Sequence, residues 1–254
     1  MWVPTLHGLI DRRILVNYRV DPEVMAWHLP APFRPKVVRG FGLAGICLIR
    51  LQKVRPRFVP FSLLGPTENA ALRFAVEWDH GGQSHSGVCI PRRFTTSRLV
   101  TLVGGRFFPG VHSRATFAVA ETEERYSVEM RGELNLTVRG TVAADMVGSQ
   151  VFPSLDEASA FYRGGAVGYS DTFTPGKFEG LEFRIANWNV TPLAVEEVAC
   201  DFFDDAKRFP PGSAVFDNAL LMRGMVNEFH GRGALCCPVP AVVGERVPAS
   251  AAAG

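Results

Sequence analysis

From residue 40 to residue 140 the chain changes polarity at almost every second residue, or runs apolar for four to eight residues between turn-forming clusters. The stretches "GFGLAGICLIRLQKV" (40–54), "NAALRFAVEWD" (69–79), "SGVCI" (86–90), "RATFAVAE" (114–121), "RYSVEMR" (125–131) and "ELNLTVRG" (133–140) all read as strands. Within 69–79, Leu72, Phe74, Val76 and Trp78 share one face, while Arg73 and Glu77 share the other. Further strands are expected at the opening "ILVNYRV", at 181–191, at 193–203 and at 218–226, separated by the turn-rich "GYSDTFTPGKFEG" (168–180).

Helix signals are few. Asp21 is a good cap with Pro22 at the first helical position, and Pro30 and Pro32 close that short segment. Ser154 and Glu157 form a capping box for a helix over 155–163, stopped by Gly164 and Gly165. Another helix is expected in "TTSRLVTLVGG", capped by Thr95 or Thr96 and ended by Gly104 and Gly105. The predicted class is α+β, mainly antiparallel β, with the sheet closed into a barrel and short helices packed outside it. No repeat or linker divides the chain, so one domain is expected over 1–240. Residues 241–254, small and polar, read as a disordered tail.

With 47% hydrophobic residues in 254, the chain can bury a sizeable core. Lys and Arg number 27 against 25 Asp and Glu, a net charge of +2 that calls for neither nucleic acid nor an anionic membrane as partner. No apolar run approaches the roughly 18 residues of a membrane helix, and the N-terminus lacks a secretory pattern, so a cytoplasmic location is expected. The five cysteines have no CxxC spacing and read as reduced. There is no nucleotide-binding glycine motif and no HExxH. No cofactor and no metal are expected, and His80, His85 and His112 read as surface or hydrogen-bonded groups.

One segment stands apart, "GVCIPRRFTTSRLV" (87–100). Val88, Cys89 and Ile90 read as the inward end of a strand, which Pro91 is expected to stop. Adjacent residues of an extended chain point to opposite sides, so one of Arg92 and Arg93 faces a barrel interior. A guanidinium there needs a carboxylate, either Glu68 or Glu77 of the protein or one from a ligand.

The segments "ILVNYRVDPEVMAWHLPAPFRP", "GICLIRLQKVRP", "GPTENAALRFAVEW", "GVCIPRRFTTSRL" and "GGRFFPGVHSRATF" together resemble a branch of the acetoacetate decarboxylase-like superfamily, domain of unknown function 2071. The resemblance implies a cone-shaped antiparallel β-barrel with an enclosed pocket, assembled into homo-oligomers. In the decarboxylases a Pro-Lys-Lys stretch supplies a Schiff-base lysine and a second lysine that keeps it neutral. "IPRR" matches that stretch, which puts Arg92 at the nucleophile and Arg93 beside it. By the same resemblance Glu68 stands where those enzymes carry a pocket carboxylate, and Arg12 lies near a substrate-orienting arginine, with Arg13 fitting nearly as well. A guanidinium cannot add to a ketone to form an imine, so imine-based decarboxylation is expected to be absent.

The site expected from these considerations has Glu68 as general base and Arg92 as a bidentate clamp. Arg12, Arg93, Arg98, His112 and Tyr169 are its substrate-binding groups, with Asp171 as a further polar candidate. The ligand is a small carboxylate or oxo acid. The contrasting reading is a non-catalytic carrier or oligomeric interaction module, its arginines tied to Glu68 and Glu77.

Overall fold

Alternating side chains fix which face of each strand is buried, and the faces here are continuous over long strands. The computed structural model describes residues 5–62, 65–103 and 109–237. Its strands begin with β1 (Leu6–Val20), the two-residue β2 (Arg34–Pro35) and β3 (Val37–Val38), β4 (Phe41–Pro56), β5 (Thr67–His80), β6 (Gln83–Thr95) and β7 (His112–Arg114). They continue with β8 (Thr116–Glu121), β9 (Arg125–Arg131), β10 (Leu136–Val142), β11 (Val167–Asp171), β12 (Lys177–Ile185), β13 (Thr191–Cys200) and β14 (Ala214–Cys236). The helices are α1 (Pro22–Ala26), α2 (Arg98–Val103) and α3 (Leu155–Gly164).

The strands β1, β4, β5, β6, β11, β12 and β14 lie side by side in that order, and β14 returns to pair with β1, so seven strands close into a barrel. The pairing is antiparallel throughout except between β6 and β11. β14, 23 residues long, also pairs with β13 at residues 219–221 and so leads out of the barrel into an outer layer, β13-β10-β9-β8. That layer covers the outside of the barrel: Tyr126, Val128, Met130, Leu136 and Val138 pack with Ile14, Val16, Ile46, Leu48, Leu72 and Phe74. Each such side chain contributes roughly 1.5–3 kcal/mol by leaving water. The other face, inside the barrel, carries Leu15, Cys47, Ile49 and Ala75, which pack with Phe152, Ala158 and Tyr162 in and before α3.

Local capping follows the residue chemistry. Asp21 accepts from the Glu23 and Val24 amides, with Pro22 in the first turn of α1. Ser154 accepts from the Glu157 amide at α3. For α2 the cap is Ser97, not Thr95 or Thr96: its hydroxyl takes the Val100 amide at 3.2 Å. The expected stop at Gly104 and Gly105, and the tail 241–254, lie outside the described residues. Most of 168–180 is strand rather than loop, because β11 and β12 pair with each other and Lys177 opens β12. Among the described residues no helix is long and apolar enough to cross a membrane.

Two bulges govern the site. Between β5 and β6, Leu72 stands opposite Arg92 and Phe74 opposite Cys89, so Ile90 and Pro91 together face the single residue Arg73. Pro91 therefore does not end the strand; it sits at a bulge, where its missing amide hydrogen costs nothing to the ladder. Between β1 and β4, Ile10 faces Leu51 and Arg12 faces Arg50, leaving Asp11 as the extra residue. Each extra residue reverses the faces of everything beyond it.

Candidate functional site

A partly open cavity of about 340 Å³ lies between the inner face of the barrel and α3. Much of its wall is apolar: Leu15, Ile49, Ala71, Ala75, Val88, Ile90, Leu181 and Phe183 line it, and Phe161, Tyr162 and Trp188 close it from the side of α3. Trp188 donates from Nε1 to the Ser159 hydroxyl at 2.8 Å, which ties the segment after β12 to that helix.

Into this apolar space project Arg13, Arg73 and Arg93, and no Asp or Glu is among the described lining residues. Arg13 comes from β1 just beyond the Asp11 bulge; its Nε donates to Cys47 Sγ at 3.1 Å, and its guanidinium lies 5.8 Å from the centre of the Phe183 ring. Arg73 comes from β5, opposite Gly45 of β4, which is opposite Asn17 of β1. Its side chain passes over Gly45 so that Nη2 donates to Asn17 Oδ1, and it stacks 5.1 Å from the centre of the Tyr162 ring. Among the described residues its Nε has no hydrogen-bond partner. Arg93 comes from β6 just beyond the Pro91 bulge and reaches toward β11, where Nε donates to Ser170 Oγ at 3.0 Å; among the described residues its Nη2 has no hydrogen-bond partner.

Both Arg73 and Arg93 lie deep in the barrel, and what exposure they keep is to the cavity. Burial lowers the pKa of each, and that of Arg93 to about 10, because the low-dielectric wall disfavours charge and no carboxylate offsets it. His112 pairs with Arg93 across β7 and β6. Burial and the Arg93 charge bring its pKa down to about 4, so the imidazole is neutral near pH 7, with Nδ1 3.1 Å from the Gly110 carbonyl. Lys36 and the exposed Arg163 and Arg184 add positive charge to the lining, and the Lys36 ammonium lies 5.2 Å from the centre of the Phe161 ring. Among the described residues no three His, Cys, Asp or Glu gather to hold a metal ion.

The structure divides the expected site between two faces. Arg92 is exposed on the side away from the cavity and pairs with Glu133 at 3.2 Å; the bulge at Pro91 has turned Arg93 inward in its place. Glu68 and Arg12 meet, but outside the barrel: Arg12 Nη2 donates to Glu68 at 2.6 Å and Nη1 to Glu121 of β8, while Arg50 reaches both carboxylates. Arg12 is almost wholly buried between barrel and outer layer, and Arg13 is the member of that pair in the cavity. Arg98 is exposed on α2. Tyr169 belongs to the outer core, in edge contact with Trp78, and Asp171 follows it on the same face of β11. His112 stands behind Arg93 rather than in the cavity wall. The groups sequence reasoning missed are Arg73 and Lys36. Arg73 had a signal, since the alternation of 69–79 already set it opposite Leu72 and Phe74.

The family model of DUF2071, described as an uncharacterized conserved protein, matches residues 10–215. The chain belongs to the DUF2071 family. No curated protein sequence matches this DUF2071 chain significantly. Among solved structures it is similar to acetoacetate decarboxylase from Legionella pneumophila, with TM-score 0.60 and 9% identity over 93% of this chain and 88% of that one. It is also similar to an acetoacetate decarboxylase-like enzyme from Sphingomonas wittichii (TM-score 0.57, 12% identity, 94% of each chain). A third is the enduracididine biosynthesis enzyme MppR complexed with pyruvate (TM-score 0.55, 11% identity, 93% and 91%). At these identities the likeness establishes a shared fold, the acetoacetate decarboxylase-like barrel, for this DUF2071 protein.

Proposed function

We propose that the barrel cavity binds a small oxo acid, its carboxylate held by Arg93 with Arg13 and Arg73 supplying further positive charge. The observation that carries this reading is that three guanidinium groups, those of Arg13, Arg73 and Arg93, line a cavity with no carboxylate among its described lining residues. A buried guanidinium with no counter-charge is costly, and an anionic ligand would offset that cost with charge-assisted hydrogen bonds. The complex of the similarly folded MppR with pyruvate supports an oxo acid as the class.

The proposal is for binding rather than for proton transfer. Glu68, expected as general base, points away from the cavity, and the described lining holds neither a carboxylate nor an imidazole. Thermal-shift titration with pyruvate and other 2-oxo acids tests it. Ligand at about 100 times its Kd should stabilise by about 2.7 kcal/mol. Arg93→Met should abolish the shift and Arg92→Met should leave it intact. If no oxo acid raises Tm, or both variants respond as the wild type does, the reading fails.

The same cavity argues against imine chemistry as the mode of binding. Lys36 is the one lysine among the described lining residues, and its ammonium is already engaged with the Phe161 ring and, at 3.4 Å, with the Ser86 hydroxyl. Incubation with acetoacetate and borohydride followed by mass spectrometry should return unmodified protein; a reduced adduct on Lys36 would show that the amine, and not the guanidinium groups, takes the ligand.

A further inference from the structure

Arg73 and Arg93 start from neighbouring strands and are drawn in opposite directions. Arg73 extends across β4 toward Asn17 of β1, and Arg93 extends toward Ser170 of β11. Around the barrel wall, Asn17 and Ser170 are four strand spacings apart, in the order β1, β4, β5, β6, β11. Four spacings of about 4.8 Å make about 19 Å along the wall, which in a barrel of seven strands is on the order of 10 Å straight across, so the two guanidinium groups lie apart and not side by side. Both side chains line the cavity, and their hydrogen bonds to Asn17 and Ser170 bring no negative charge to either. The wall between them includes Ala71, Ala75, Val88 and Ile90, and with them Cys47, whose thiol already accepts from Arg13.

One carboxylate cannot satisfy two donors that far apart, and a monoanion neutralises only one of the cations. Arg13 adds a third positive charge near Arg73, and burial opposes every charge that stays unanswered. Glu179, on the cavity-facing side of β12 beyond Leu181, does not answer them; it accepts from the Gly110 amide at 3.2 Å.

Resting on the oxo-acid reading above, we propose that the ligand is a dianion: a diacid with one carboxylate on Arg93, the other on Arg73 and Arg13, and a short apolar chain against Ala71, Ala75, Val88 and Ile90. With a hydrogen bond of about 2.9 Å at each end, the span suits a backbone of roughly four to six carbons. Arg93 and Ser170 take the end shared with monoacids, and Arg73 selects for the second charge.

The test compares 2-oxopentanoate with 2-oxopentanedioate, equal in chain length and differing by one terminal carboxylate, by calorimetric titration of the full chain at fixed ionic strength. The diacid should bind at least about ten-fold tighter, the gain expected from one charge-assisted hydrogen bond. Arg73→Gln should weaken the diacid at least about ten-fold more than it weakens the monoacid, bringing the two affinities together. If Arg73→Gln does not fold, the wild-type comparison decides alone. A monoacid that binds as well as the diacid, or an Arg73→Gln variant that weakens both equally, overturns the dianion and leaves the oxo-acid reading standing. If neither acid binds, the oxo-acid reading itself falls.

Discussion

Among the described residues, the charge of Arg93 is answered by one hydroxyl, that of Ser170, with the neutral imidazole of His112 on the neighbouring strand. That neutrality has a measurable cost in acid. The ordinary histidine value of about 6.5 falls to about 4 in the fold, so as pH drops the unfolded chain takes up this proton first. The contribution of a neutral His112 is complete above about pH 6.5 and is lost progressively toward pH 4, amounting to as much as about 3 kcal/mol. Urea denaturation of the wild type and of His112→Gln at pH 7, 5.5 and 4 should show the wild type losing more stability across that interval. Parallel pH dependences for the two proteins would mean that His112 is free to protonate in the fold. Single residues also explain the cavity's shape: Gly45 lacks a Cβ, which would meet the Val16 carbonyl oxygen at 2.1 Å, and the resulting close strand approach leaves the path along which Arg73 reaches Asn17.

At the level of elements, the two Arg-Arg pairs follow one rule: each comes just after a bulge, and in each the second arginine faces in. Much of this was legible from the chain. The strands, the caps of α1 and α3 and the closed barrel all follow from two-residue alternation and turn chemistry, and 68–74 is regular enough to set Glu68 on the face of Leu72 and Phe74, away from Arg73. Giving Glu68 a place in the pocket meant preferring a likeness in motif over that periodicity. The bulges were not legible. An extra residue in a ladder carries no mark of its own, and the Pro91 that accompanies one of them reads as a strand terminator because proline cannot donate. Lys36 was hidden for another reason: it reaches the cavity from the short connection between β2 and β3, which only tertiary packing brings there.

For the whole molecule, the cluster of Arg12, Arg50, Glu68 and Glu121 joins barrel to outer layer. Arg12 is all but buried and Glu68 nearly so, with side-chain exposures of 2% and 14%. Removing Glu68 takes one of its two carboxylate partners from Arg12 and leaves Arg12 and Arg50 to share Glu121, at a cost of roughly 2 kcal/mol. Glu68→Ala should accordingly lower the denaturation midpoint and leave oxo-acid affinity, measured on the folded fraction, unchanged; a matching loss of affinity would place Glu68 in the ligand's path after all. The seam between β1 and β14 has a different kind of consequence, one of timing. It joins Leu6 to Phe229, positions separated by most of the sequence, and every strand of the barrel lies between them. Closing so long a loop is entropically unfavourable until the remaining strands are paired, and topologies of that kind fold slowly. On a ribosome the cavity cannot close until β14 has emerged, so Arg13, Arg73 and Arg93 stay open to water until then. The arginine-lined cavity is among the last features the chain acquires.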